Sequence, residues 1–266
     1  MTSDLPRLET VDLRREGRVL VVGLARPEKR NSFNRQLLRD LALAYGVIED
    51  DPDVWCGLVH GTGDHLTTGL DLADVAESMA SGEGLVPEQG RDPWRLDGRW
   101  STPVVAVAHG WCMTAGIELL LAADVRVAAE GTRFTQLEVR RGIYPVGGAT
   151  MRFPRDCGWG NAMRWMLTGD EFDAAEALRM GLVQEVLPDA AAAYDRGLEL
   201  ARSIAGDAAP LAVRATLESA QQALVEGDAA AVAGFGPGLQ RLFGTADVAE
   251  GVASFVERRQ ARFTGR

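Results

Sequence analysis

Two short, almost wholly apolar runs, Val54 to His60 and Pro103 to Ala108, constrain the fold more than any other part of the chain. Each is too short for an independent helix, and neither has the polar alternation of a half-exposed strand. They read as buried strands of a sheet covered on its faces. Helical periodicity surrounds them. Leu37, Leu38, Leu41, Tyr45 and Ile48 recur at helical spacing behind Asn34, whose side chain is placed to cap the first turn. A second helix runs from about Ala115 through Leu119-Leu120-Leu121-Ala122-Ala123, and Val125 to Ala128 reads as another strand. Earlier, Leu8 to Leu13 and Arg18 to Leu24 flank Arg15-Glu16-Gly17 and read as a hairpin. Strand, turn, helix and strand thus alternate, which argues for an α/β layer architecture with mostly parallel pairing, whose strand-end turns present backbone groups to a ligand. Spacing alone leaves open whether the layers wind into a spiral or an open doubly wound sheet.

The rest of the chain has a different composition. Between Glu77 and Thr102 it shifts to Gly, Pro and charge, interrupted by Trp94 and Trp100. This reads either as a lid over a site or as an excursion whose tryptophans pack on the core or a neighbouring subunit. After Pro188 the sequence is Ala-rich and helical: Ala190 to Ala205 ending at Gly206, Leu211 to Val225 ending at Gly227, and Val248 to Arg262. Glycine just past the first two patterns is the expected left-handed stop. A length of 266 residues suits one large core with a helical tail.

Lys plus Arg total 28 against 38 Asp plus Glu, a net charge of −10 that disfavours nucleic acid and anionic membranes as partners. A phosphate-bearing ligand then needs a local basic patch, for which Arg26-Pro27-Glu28-Lys29-Arg30 is one candidate. Cys56, Cys112 and Cys157 have no CxxC spacing, and the three histidines have no metal-binding spacing, so no metal site is expected. Met1 to Pro6 lacks the pattern of a signal peptide, and no apolar run approaches the roughly 18 residues of a spanning helix. These features together predict a soluble protein of the reducing cytoplasm.

Two glutamates stand out because each lies near a stretch able to aim backbone N–H groups at a carbonyl. Glu118 follows His109-Gly110-Trp111-Cys112-Met113-Thr114-Ala115-Gly116-Ile117, where small residues open an apolar helix. The first N–H groups of a helix lack partners and carry partial positive charge. Upstream, Gly61 to Leu72 is another Gly-punctuated loop, in which Gly69 lets the chain turn so that the Leu70 N–H faces inward. Glu138, in Phe134-Thr135-Gln136-Leu137-Glu138, supplies a second carboxylate. Two acids flanking one substrate suit addition of water to a double bond. The bland alternatives are a helix-stabilising acid for Glu118 and a surface ion pair with Arg140 or Arg141 for Glu138. No Gly-x-Ser-x-Gly elbow, P-loop or GxGxxG motif occurs, which disfavours a serine esterase and a nicotinamide enzyme.

Five segments, in order, resemble the crotonase family of enoyl-CoA hydratases and isomerases. They are Leu24 to Asn34, Leu66 to Leu72, His109 to Glu118, the stretch Thr168-Gly169 through Gly181-Leu182-Val183, and Glu250-Gly251 through Phe263. The resemblance implies an α/β fold, a spiral of ββα units, with a core over 1–195 and a helical region over 196–266 that forms trimers or dimers of trimers. It implies an oxyanion hole from the N–H groups of Leu70 and Ala115, with Glu138 protonating the α-carbon and Glu118 holding and activating water. It assigns acyl-CoA binding to Arg26, Lys29, Thr68, Gly69, Leu70, Asp71 and Ala115. Coenzyme A is then part of the substrate, and no separate cofactor is implied.

Departures from the family pattern sharpen these expectations. Thr67-Thr68 replaces smaller residues, which predicts a tighter pocket at the thioester. Val146 stands where dienoyl-CoA isomerases have a further acid, which disfavours that activity. The expected reaction is hydration of a 2-enoyl-CoA or its reverse. A double-bond isomerase on the same scaffold and a non-catalytic binding member of the family are the alternatives.

Overall fold

The structure is a computed structural model that describes residues 5–81, 89–96 and 100–266. The hairpin forms from β1 (Val11–Glu16) and β2 (Val19–Leu24), joined through Gly17 at φ 61°. Its first strand lies three residues later than the sequence suggests, because a two-residue turn pairs Glu16 directly with Val19. The two apolar runs become β3 (Cys56–Gly61) and β4 (Val104–Ala108), fully or almost fully buried. With β6 (Val125–Ala129) and β9 (Glu185–Leu187) they complete a six-stranded sheet in the order β1-β2-β3-β4-β6-β9, parallel except for the hairpin.

A second, smaller sheet decides the topology. It contains β5 (Trp111–Met113), β7 (Arg133–Thr135) and β8 (Glu171–Asp173). Single bridges extend its pattern backwards: Thr67 pairs with Cys112, and Phe33 with Leu70, both in parallel. Four of the large-sheet strands are therefore each followed by a short extended piece in the second layer and then a helix. β2 leads through Phe33 to α1 (Arg35–Asp50), β3 through Thr67 to α2 (Leu72–Ser81), and β4 through β5 to α3 (Ala115–Ala122). β6 leads through β7 to α4 (Ala149–Cys157). This is a winding of ββα units, the spiral rather than the open doubly wound sheet.

Both faces of the large sheet are covered. On one side α1 and α3 cover the face that carries Leu20, Val22, Leu24, Val59 and Ala106, and α4 packs on α3. Asn34 caps α1 by accepting from the Leu37 N–H at 2.9 Å. On the other side α7 (Ala190–Gly206) sets Ala193, Leu198, Ala201 and Ala205 against Val19, Leu58, Val105 and Val127. A boundary at 195/196 thus falls inside a helix that is part of the core. The helix approaches closely because Gly197 has no side chain: a Cβ there would stand 2.3 Å from a Val107 methyl. Helix α6 (Ala174–Met180) touches both sheets, at β7, β8 and β9, and α5 (Trp159–Thr168) packs on α4.

The C-terminal region holds one more helix than its sequence pattern predicts. After α8 (Pro210–Glu226) and Gly227 at φ 92° come α9 (Asp228–Phe243) and α10 (Ala246–Glu257). The pattern misses α9 because Gly234, Gly236, Pro237 and Gly238 interrupt it. Gly206 is also not a left-handed stop: it ends α7 from within, and Asp207 in right-handed conformation follows. No helix among the described residues is long and apolar enough to cross a membrane.

Packing of α7 through a glycine yields a stability prediction. Gly197→Ala should cost roughly 1–3 kcal/mol from overpacking, partly offset by about 1 kcal/mol of improved helix propensity. Urea unfolding at fixed protein concentration reads the net loss of up to about 2 kcal/mol, and a midpoint raised by the full helix-propensity gain contradicts the close approach.

Candidate active site

The two Gly-punctuated loops meet at Gly69 and Thr114. A Cβ on Gly69, which sits at φ 86°, would lie 1.8 Å from the Thr114 hydroxyl oxygen. Likewise a Cβ on Gly116 would lie 2.4 Å from the Thr67 methyl. Thr67 is fully buried, donates its hydroxyl to the Asn31 carbonyl at 2.7 Å and does not line the cavity. Its bulk is therefore taken up by Gly116 and does not narrow the pocket as the sequence suggests. Thr68 does line the cavity.

Backbone geometry frees one N–H on each loop. In the Phe33–Leu70 bridge, Phe33 donates to the Gly69 carbonyl and Asp71 donates to the Phe33 carbonyl, which turns the Leu70 N–H to the opposite side. Ala115 is the first residue of α3, so its N–H has no carbonyl one turn back. Neither amide donates to any described residue, and both residues line one cavity of about 230 Å³. Thr114, just before α3, holds φ 49° and ψ −116°, a strained conformation for a β-branched residue. It is pinned by donation to the Thr135 carbonyl at 2.9 Å and by acceptance from the Ile117 and Glu118 amides.

Both glutamates reach the same cavity. Helix α3 is buried along its whole length, which carries Glu118 into the interior at 3 % exposure. Glu118 does not stabilise its own helix terminus. Its Oε1 accepts from the Ala149 amide at 3.0 Å, at the start of α4. Gly147 permits this approach, since a Cβ there would lie 2.6 Å from Glu118 Oε2. Burial raises the Glu118 pKa, while the Ala149 and Gly147 amides and Arg152 oppose the rise.

Glu138 begins a 3-10 helix over Glu138–Arg141 and is 7 % exposed, so it is not half of a surface ion pair. Its Oε1 accepts from Gln136 Nε2 at 2.9 Å, and its Oε2 has no partner among the described residues. Burial pushes its pKa up to about 7; the Glu118 charge adds to the rise, and its own backbone amide and Gln136 oppose it.

The remaining sequence candidates fall outside the cavity wall. Arg26 lies beside Asp71 at 3.6 Å and donates to the Ser32 carbonyl at 2.5 Å. Lys29 is exposed at the end of a 3-10 turn, and Gly69 acts through its contact with Thr114. The tryptophans do not line the cavity either. Trp94 donates to the Ala115 carbonyl at 2.9 Å and stacks edge-on to Phe33, so it braces the start of α3 from behind. Of the 77–102 stretch, residues 82–88 and 97–99 lie outside the described residues, 77–81 end α2, and Arg95 is tied to the Ala122 and Thr102 carbonyls. Sequence reasoning missed Leu72, Met113, Leu137, Arg141, Ile143 and Tyr144, which with Val146 complete the wall. Position in the 3-10 helix just after Glu138 was the available signal for Arg141.

Comparison with known proteins gives the family of the chain. The profile of the enoyl-CoA hydratase/isomerase family matches residues 14–266. The chain belongs to that family, the crotonase superfamily. A solved structure of a probable enoyl-CoA hydratase/isomerase from Mycobacterium abscessus is 50 % identical, with TM-score 0.94, over 98 % of this chain and 100 % of that one. Enoyl-CoA hydratase EchA19 of Mycobacterium tuberculosis is 32 % identical over 95 % of each chain. Crotonyl-CoA hydratase of Syntrophomonas wolfei is 31 % identical over 96 % of this chain and 98 % of its own.

The raised pKa of Glu138 has a stability consequence. A carboxyl whose folded pKa exceeds its unfolded one favours folding fully at low pH, and that contribution is lost as pH rises through the folded value of about 7. Glu138→Gln should therefore raise Tm over wild type at pH 8, by on the order of several degrees, with a smaller difference at pH 5. Equal differences at both pH values would contradict a buried, reluctantly ionised carboxyl.

Proposed function

We propose that this protein is an enoyl-CoA hydratase that adds water across the 2,3 double bond of a 2-enoyl-CoA, or runs the reverse dehydration of a 3-hydroxyacyl-CoA. The observation that carries the reading is the convergence of two partnerless amides and two buried carboxylates on one cavity. In this scheme the thioester oxygen sits between the Leu70 and Ala115 N–H groups. As water attacks the β-carbon, electron density moves onto that oxygen, and each donor contributes about 3 kcal/mol to the enolate-like transition state. Glu118, ionised and held by the Ala149 amide, takes the water proton. Glu138, whose pKa of about 7 keeps much of it protonated near neutrality, gives its proton to the α-carbon. Both carboxyls serve one face of the substrate, so the addition is syn.

Coenzyme A enters as part of the substrate. Arg26, Lys29, Thr68, Gly69 and Asp71 form or support its approach to the oxyanion donors. The three free cysteines are buried and suit the reducing cytoplasm. Helices α8 to α10 expose Val225, Val232, Phe235, Phe243, Phe255 and Val256, an apolar surface that suits assembly into trimers or dimers of trimers. Light scattering of the purified protein should give three or six chains, and a stable monomer would overturn that assembly.

Loss of conjugated enoyl-thioester absorbance tests the activity. Wild type should hydrate 2-enoyl-CoAs, and Glu118→Gln and Glu138→Gln should each lower kcat by about 10²- to 10⁴-fold. The hydration rate should also fall as pH rises through about 7, because Glu138 must carry a proton. Formation of a shifted double bond in place of a 3-hydroxyacyl product would identify an isomerase. Binding without turnover would leave a non-catalytic member of the family.

A further inference from the structure

The cavity wall contains one cation among the described residues, Arg141, and the proposed hydration chemistry does not use it. It lies three residues after Glu138 in the same 3-10 helix. Three residues is one turn of such a helix, so Arg141 projects from the same side of it as the carboxyl assigned to the α-carbon, without an ion pair between them. Leu70 and Ala115, which hold the thioester in the proposed scheme, line the main cavity but not the adjoining one that Arg141 also borders. An acyl chain that continues from the main cavity toward the adjoining one therefore meets Arg141 past its reacting carbons, away from the oxyanion donors.

Arg141 also differs from its neighbours in charge balance. Arg133 pairs with Glu171, and both Arg140 and Arg164 pair with Asp170. Arg141 makes no hydrogen bond or ion pair with any described residue. It stands between the main cavity and an adjoining one of about 250 Å³, and Met113, Leu137 and Arg141 line both. Leu137, Ile143 and Val146 make the approach to it apolar. A wall of this kind fits a ligand with an apolar stem and an anionic end.

We propose that Arg141 is a specificity residue that selects enoyl-CoA substrates whose acyl chain ends in a carboxylate. This rests on the hydratase reading for the direction of the acyl chain. The guanidinium supplies a planar pair of donors to the terminal carboxylate, and the apolar wall between the ends carries the intervening methylenes.

The test compares 2-enoyl-CoAs ending in a carboxylate with chains of equal length ending in a methyl group. For wild type, kcat/KM should favour the carboxylate series, and added salt should weaken the preference. Arg141→Leu should reduce the carboxylate-to-methyl ratio by about 10- to 100-fold, and Arg141→Lys should retain part of it. The ratio is internal to each variant, so partial misfolding cancels. An unchanged ratio in Arg141→Leu would overturn the proposal. So would equal weakening of both series, which would place Arg141 on a coenzyme A phosphate. Calorimetric binding of the matching saturated acyl-CoAs separates the two readings: a carboxylate preference in binding with no hydration of either series would sink the hydratase reading alone.

Discussion

Everything at the active site depends on the close approach of two strand-end turns, made possible by glycines at 69 and 116. Each glycine faces a threonine of the other loop, Gly69 against Thr114 and Gly116 against Thr67. The contact brings the partnerless Leu70 amide and the first amide of α3 to one cavity. Because the donors are backbone groups, their positions follow from the sheet and helix that hold them. The cost is concentrated in Thr114, a β-branched residue at positive φ. Three backbone hydrogen bonds and a helix buried on all sides over-determine that conformation, and Trp94 secures the Ala115 carbonyl from the far side.

The same arrangement explains which parts of the fold were legible in the sequence. β3 and β4 read clearly because strands buried on both faces are apolar without alternation, and α1 because Asn34 announces it. The spiral was reached through the family resemblance and not through periodicity, since its second layer consists of three-residue strands and single bridges at Thr67 and Phe33. No periodicity can be measured over such lengths. Helix α9 was hidden by its glycines and Pro237, whose low propensity is outweighed by packing against α8. Both glutamates were visible as candidates. Their environments were not, because Glu118 finds its partner amide at Ala149, 31 residues away. Arg141 was visible only as a possible surface ion-pair partner, since nothing local reveals that its neighbours use the available acids.

Unequal hydrogen bonding makes two similar acids suited to different tasks. Both glutamates are buried, so both resist ionisation, and each one's charge makes the other's more costly. The tie is broken by backbone geometry. Glu118 receives amides at the start of α4, where unpaired N–H groups favour a negative charge. Glu138 receives one side-chain amide and leaves Oε2 without a partner, a poor setting for a full charge and a good one for a proton. When the site holds a single negative charge, these contacts favour the charge on Glu118 and the proton on Glu138. The hydration proposed above needs this distribution, and the proposed dehydration needs its reverse. The ease of exchanging the two states then depends on how closely the α4 amides match the cost of burying the second carboxylate. Gly147 contributes directly to that match, because any side chain there would push Glu118 away from the helix that stabilises it.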